Sequence, residues 1–119
     1  MKYTESHEWI KVEGEIGIVG ITSYAQKELG EVVYLELPQV GKVVKGGEEI
    51  AVLESTKAAA DIYSPVSGEI IATNDSLKQN VDQVNKAPES EGWLYKIKLS
   101  HPAELEALLE RLQYLSLFK

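Results

Sequence analysis

Glu54-Ser55-Thr56-Lys57-Ala58-Ala59-Ala60-Asp61 lies between two stretches that read alike. Upstream, Gly41-Lys42-Val43-Val44 is followed by Glu48 and Ile50. Downstream, Gly68-Glu69-Ile70-Ile71 is followed at the same spacing by Asp75 and Leu77. Each half is a glycine turn, a β-branched strand and a polar turn before the next apolar run. Two such halves related by a pseudo-dyad put the segment between them at a hairpin tip, where the Lys57 amine is reachable by a modifying enzyme. Most lysines are only solvated surface groups, so the weight falls on what surrounds this one.

Outward from that centre the chain reads as short strands divided by turn residues. Trp9 to Val12 and Ile16 to Val19 flank Glu13-Gly14, the pattern of a tight hairpin. Ser23 with Gln26 three residues later resembles a capping box, and Gly30 stops the short helix that follows. Val32 to Leu37 is β-prone and ends at Pro38. Ile50 to Leu53, Ala59 to Tyr63 and Glu69 to Ala72 supply further strands, and Ser76 to Val84 a turn or two of helix. Trp93, Tyr95, Ile97 and Leu99 alternate with Leu94, Lys96 and Lys98, as in a half-buried strand. Pro102 suits the first turn of a helix, and Leu105, Leu108, Leu109, Leu112 and Leu115 follow at helical spacing. That stripe predicts a helix docked on the β core. The fold class is mainly β, a small sandwich or barrel with one helix in the N-terminal half and one at the C-terminus. We expect a single domain over 1–119, with a core about 15–100 and the C-terminal helix about 102–115.

Composition narrows the function. The chain has 119 residues, enough for one domain with a modest core. Its net charge is −7 with no basic cluster, which argues against a nucleic-acid surface. No apolar run approaches the length that crosses a bilayer. Cysteine is absent and only His7 and His101 are available as imidazoles, so thiol nucleophiles and N/S-ligated metals have almost nothing to draw on. Trp9, Trp93 and Tyr95 read as core. A chain so equipped is no enzyme by itself; reactive chemistry has to come from an attached cofactor.

The run Leu53-Glu54-Ser55-Thr56-Lys57-Ala58, continuing through Asp61-Ile62-Tyr63-Ser64-Pro65-Val66-Ser67-Gly68-Glu69-Ile70, resembles the lipoylation segment of the glycine cleavage system H protein family. His7-Glu8-Trp9-Ile10 resembles that family's N-terminal motif. Gly20-Ile21-Thr22, Ala25-Gln26, Leu29-Gly30-Glu31 and Tyr34-Leu35-Glu36-Leu37-Pro38 follow in the family order, as do Asn85, Pro88, Glu91-Gly92-Trp93-Leu94 and Lys96-Ile97-Lys98. The likeness covers roughly residues 3–110. Gln79 to Val84 carries no proline where members often have one, and Glu110 to Lys119 fits poorly.

The resemblance implies a barrel-sandwich hybrid, the lipoyl-domain fold, with lipoic acid amide-linked to Lys57 and Glu54, Ser55, Thr56 and Ala58 completing the attachment motif. Such an arm reaches roughly 12–15 Å. It implies a shuttle that takes the aminomethyl group of glycine from a pyridoxal phosphate-dependent glycine decarboxylase to a tetrahydrofolate-dependent aminomethyltransferase. A dihydrolipoamide dehydrogenase restores the arm, and a lipoate ligase or a lipoyl/octanoyl transferase installs it. By the same resemblance Glu8 and Asp61 line a pocket for the loaded arm, with Ser6, Ile21, Leu29 and Ala58 as neighbours. Thr56 and Ala58 stand where biotin carriers set methionines. Three alternatives remain: a lipoyl/octanoyl relay in cofactor assembly, a biotinyl carrier, and an unmodified β-domain acting as an interaction module. A cytoplasmic monomer is expected, with no nucleic-acid or membrane partner. The N-terminus shows neither secretion signal nor transit peptide, and a mitochondrial matrix protein trimmed of its presequence is the other location.

Overall fold

Gly14 takes φ 64°, a left-handed value that costs glycine nothing, and this turns the chain through the first hairpin. Strand β1 (Lys2–Tyr3) pairs with β2 (Glu8–Glu13). Across the Gly14 turn β2 pairs antiparallel with β3 (Ile16–Ile21), from Glu13↔Ile16 to Glu8↔Ile21. The computed structural model describes residues 1–118. Helix α1 (Ser23–Leu29) follows, then β4 (Val32–Glu36), β5 (Val43–Val44), β6 (Glu49–Ser55), β7 (Ala59–Tyr63) and β8 (Gly68–Thr73). Two short helices, α2 (Ser76–Gln79) and α3 (Asp82–Lys86), lead to β9 (Tyr95–Leu99). A 3₁₀ segment (Pro102–Ala107), β10 (Leu109–Glu110) and α4 (Arg111–Leu117) end the described chain.

The strands form two sheets. The larger has the order β10-β1-β2-β3-β9-β8-β5, the smaller β4-β6-β7. The similar stretches seen in the sequence meet directly, for β5 and β8 pair antiparallel with Val43↔Glu69 and Val44↔Gly68. Antiparallel pairing is what a local two-fold requires. The likeness ends there, because β5 leads into another strand whereas β8 leads into α2.

Residues that alternate along the strands fill the space between the sheets: Val19, Ile21, Leu53, Ile62, Ile70 and Ile97 are all buried there. Each such side chain contributes about 1.5–3 kcal/mol relative to its exposed state. A second cluster of Tyr3, Trp9 and Tyr114 lies apart from it, with Ile18, Trp93, Leu109 and Phe118 packed against it. Gly20 makes room for that cluster, since a Cβ there would sit 2.8 Å from the Trp9 indole. The Trp9 indole N–H donates to the Pro88 carbonyl at 2.9 Å.

The structure corrects two local expectations. Thr22, not Ser23, caps α1: its hydroxyl accepts from the Ala25 N–H at 3.2 Å. The C-terminal helix exists, but it does not run over 102–115. Leu109 and Glu110 pair with Tyr3 and Lys2 as a strand, which no helical spacing can anticipate. The leucine stripe is therefore split: Leu105 and Leu108 pack on the main core and Leu109 on the aromatic cluster, while Leu112 is 81% exposed. Tyr114 is the residue α4 buries.

Candidate functional site: the Lys57 hairpin and its cleft

The β6–β7 hairpin closes through the Ser55 N–H, which donates to the Ala58 carbonyl at 2.7 Å and leaves Thr56-Lys57 as the tip. Primed turns, which match strand twist, require left-handed residues. His7 is the sole left-handed non-glycine residue among those described, so this tip is not of that kind. The Ser55 hydroxyl compensates: it accepts from the Lys57 N–H at 3.2 Å and the Ala58 N–H at 3.0 Å, and donates to the Ala58 carbonyl at 3.2 Å. Serine hydroxyls commonly complete turns in this way. Glu54 pairs with Ala59 at the base of the tip, and Thr56, Lys57 and Ala58 are exposed.

The Lys57 stem lies back against Gly30, the C-cap of α1 at φ 91°. A Cβ at Gly30 would stand 3.0 Å from Lys57 Cε. The glycine thus serves two needs, a left-handed helix end and passage for the lysine.

Beside the tip, between α1 and the hairpin, is a cleft of about 260 Å³. Ile21, Ala25, Leu29, Leu53, Ala58, Ala60 and Ile62 give it apolar walls, while Ser6, His7, Glu28 and Asp61 are its polar lining. Of the pocket residues expected from the sequence, Ser6, Ile21, Leu29, Ala58 and Asp61 are brought together here. Glu8 is not. It is 1% exposed, and its carboxylate accepts from the Ser6 hydroxyl at 2.6 Å, the Thr4 hydroxyl, and the Tyr63 N–H at 3.3 Å. Burial pushes the Glu8 carboxyl above the usual range, and those hydrogen bonds pull partly against it. Glu8 is therefore the backing of Ser6 and not itself part of the wall. Asp61 borders the cleft, yet on β7 it alternates with buried Ile62, and its nearby carboxylate raises the Glu49 pKa.

Sequence reasoning missed His7, Ala25, Glu28, Leu53, Ala60 and Ile62. Two periodicities held the signal. Ala25, Glu28 and Leu29 share a helix face, and Ala58, Ala60 and Ile62 share a strand face. His7 had no such signal, because its φ of 75° is set by distant partners. Its carbonyl accepts from the Thr22 N–H at 3.0 Å, and its Nδ1 lies 2.8 Å from the Tyr114 hydroxyl. Burial lowers its pKa, against an opposing pull from Glu28. Among the described residues no cluster of His, Cys, Asp or Glu has the makings of a metal site, and no helix is long and apolar enough to cross a membrane.

The glycine cleavage H-protein family model matches residues 1–119. The chain belongs to that family. A glycine cleavage system H protein from Caulobacter vibrioides is 55% identical over 96% of this chain and 94% of its own. One from Thermotoga maritima is 50% identical over 95% and 91%. A solved structure of such a protein from Mycobacterium marinum superposes with a TM-score of 0.89 at 34% identity, covering 98% of this chain and 94% of that one. The expected family and the mainly β, barrel-sandwich architecture are both met by these likenesses.

Proposed function

We propose that this family member is the lipoyl carrier of a glycine cleavage system, with its arm amide-linked to Lys57. One observation supports this most: the Lys57 amine is exposed on a two-residue tip pinned by Ser55, directly beside an apolar cleft of about 260 Å³. When bound, lipoate supplies a dithiolane that accepts a one-carbon amine unit from a glycine decarboxylase and yields it to an aminomethyltransferase. A dihydrolipoamide dehydrogenase and a lipoate ligase or lipoyl/octanoyl transferase are the remaining partners. The chain itself turns nothing over and works as a cytoplasmic monomer.

The residues present fit that group. Lys57 provides the only atom needed for attachment, a primary amine free of any ion pair among the described residues. Ser55 fixes where the stem starts, and Gly30 leaves space for it to lie back. Ile21, Leu29 and Ala58 give the cleft apolar walls against which the arm can pack. Ser6 donates its proton to Glu8, which turns the hydroxyl lone pairs outward to accept from a cationic amine. Asp61 adds negative charge at the rim. A sheltered charge-assisted bond of this type is worth about 1.5–3 kcal/mol.

Lys57→Arg keeps the positive charge and removes the acylable amine. The variant should fold as the parent does and fail to support glycine–bicarbonate exchange with purified decarboxylase. Exchange at the parent's rate would overturn the assignment.

A further inference from the structure

The C-terminal helix reaches the cleft through a single hydroxyl. Tyr114 Oη lies 2.8 Å from His7 Nδ1 and 2.7 Å from Thr22 Oγ1. His7 lines the cleft from the N-terminal segment. Thr22 caps α1, the helix that supplies Ala25, Glu28 and Leu29 to the same cleft. One phenol therefore bridges His7 and the start of α1, beside the Thr22 N–H bond to the His7 carbonyl and the Tyr24 ring 4.6 Å from the imidazole. The bonds are consistent in either direction: Thr22 to Tyr114 to His7, or the reverse with the imidazole donating.

Five further contacts surround this hydroxyl and its partners. The Tyr114 ring stacks on Tyr3, centroids 4.9 Å apart at 17°. Phe118 meets His7 edge-on at 4.6 Å. Arg111 donates to the Tyr3 hydroxyl at 2.8 Å and pairs with Glu89 at 3.7 Å, while Glu89 in turn accepts from the Ser23 N–H at 2.8 Å at the start of α1. His7 meanwhile keeps a left-handed backbone, φ 75°. Such a conformation is costly for a residue with a Cβ and persists only where surroundings over-determine it.

We propose that Tyr114 is a positioning residue that holds the α1 wall of the arm cleft in place, by fixing His7 and the Thr22-capped start of α1 against each other. This rests on the reading of the cleft as the harbour of the loaded arm. Nothing in the role requires Tyr114 to touch the arm. Burial holds its phenol protonated, with its pKa raised, as a fixed hydrogen-bonding hub needs.

Tyr114→Phe removes both bonds and keeps the ring that stacks on Tyr3. Leu109→Ala serves as comparison: it loosens the same aromatic cluster and leaves both bonds intact. Each protein is lipoylated, loaded with the one-carbon amine unit, freed of the partner enzymes, and followed for release of ammonia and formaldehyde. In parallel, amide exchange is measured across α1 in the unlipoylated proteins. Tyr114→Phe should lose its cargo several-fold faster than the parent and exchange the Ala25 amide faster, with lipoylation at Lys57 unchanged. Leu109→Ala should retain its cargo as the parent does. Parental retention by Tyr114→Phe, or equal loss in Leu109→Ala, would overturn the proposal. If the parent itself loses cargo as fast as a small-molecule lipoamide adduct, the cleft reading fails instead, and the clamp with it.

Discussion

Ser55 and Glu8 show how much of this site turns on hydrogen bonds that a residue's type only hints at. Ser55 stands in the attachment motif, but its work is to replace the backbone geometry a glycine would give at the tip. Glu8 looked like a pocket carboxylate and is instead buried behind Ser6. Its acceptors are met by hydroxyls two and four residues earlier and by a distant N–H, and the distant contact is invisible in a linear reading. The burial has a pH signature. The folded state raises the Glu8 pKa, so it favours the protonated form. The resulting stabilisation is present below the unfolded value of about 4.3 and is lost as pH rises through the folded value. Glu8→Gln removes that dependence while keeping an oxygen that accepts from Ser6. The stability difference, variant minus parent, should therefore move in the variant's favour from about pH 4 to about pH 8. Denaturant unfolding across that range checks it, and a flat difference would show that Glu8 ionises as freely folded as unfolded.

At the scale of elements, strands and turns were legible and long-range pairing was not. The β6–β7 hairpin, the Gly14 turn, the Gly30 stop and the Tyr95–Leu99 strand all follow from alternation and turn residues. The α4 boundary does not, because the β1–β10 pairing joins residues more than a hundred positions apart, including the ion pair of Lys2 with Glu110. The helix then buries Tyr114 and not the leucines. The start of β4 is a similar case: the Asn85 side chain accepts from the Val32 N–H at 2.8 Å and donates to the Val32 carbonyl at 3.1 Å, standing in for a neighbouring strand. Hairpin geometry carries its own prediction. Thr56→Lys combined with Lys57→Thr moves the amine by one residue, and the two positions of a turn tip aim their side chains in different directions. Incubation with lipoate ligase should leave this variant unmodified, as read by intact mass. Efficient modification at residue 56 would mean that the ligase reads sequence and not the direction in which the amine points.

On the proposed reading the whole molecule is a mount for one lysine. Two sheets close on a common core, α1 and the hairpin shape a cleft beside the tip, and the Tyr114 hydroxyl of α4 reaches His7 and Thr22 behind the α1 wall. A net charge of −7 keeps such a carrier soluble and steers it toward basic surfaces on partner proteins. On the proposed reading the chemistry belongs to the arm, so the account stands or falls on where the arm is attached. Intact-mass measurement with peptide mapping, on protein isolated from cells able to make or salvage lipoate, tests that most directly. The account predicts a single lipoyl amide, located on Lys57 and absent from every other lysine. An unmodified chain, a biotinyl mass, or a lipoyl group on another lysine would contradict it.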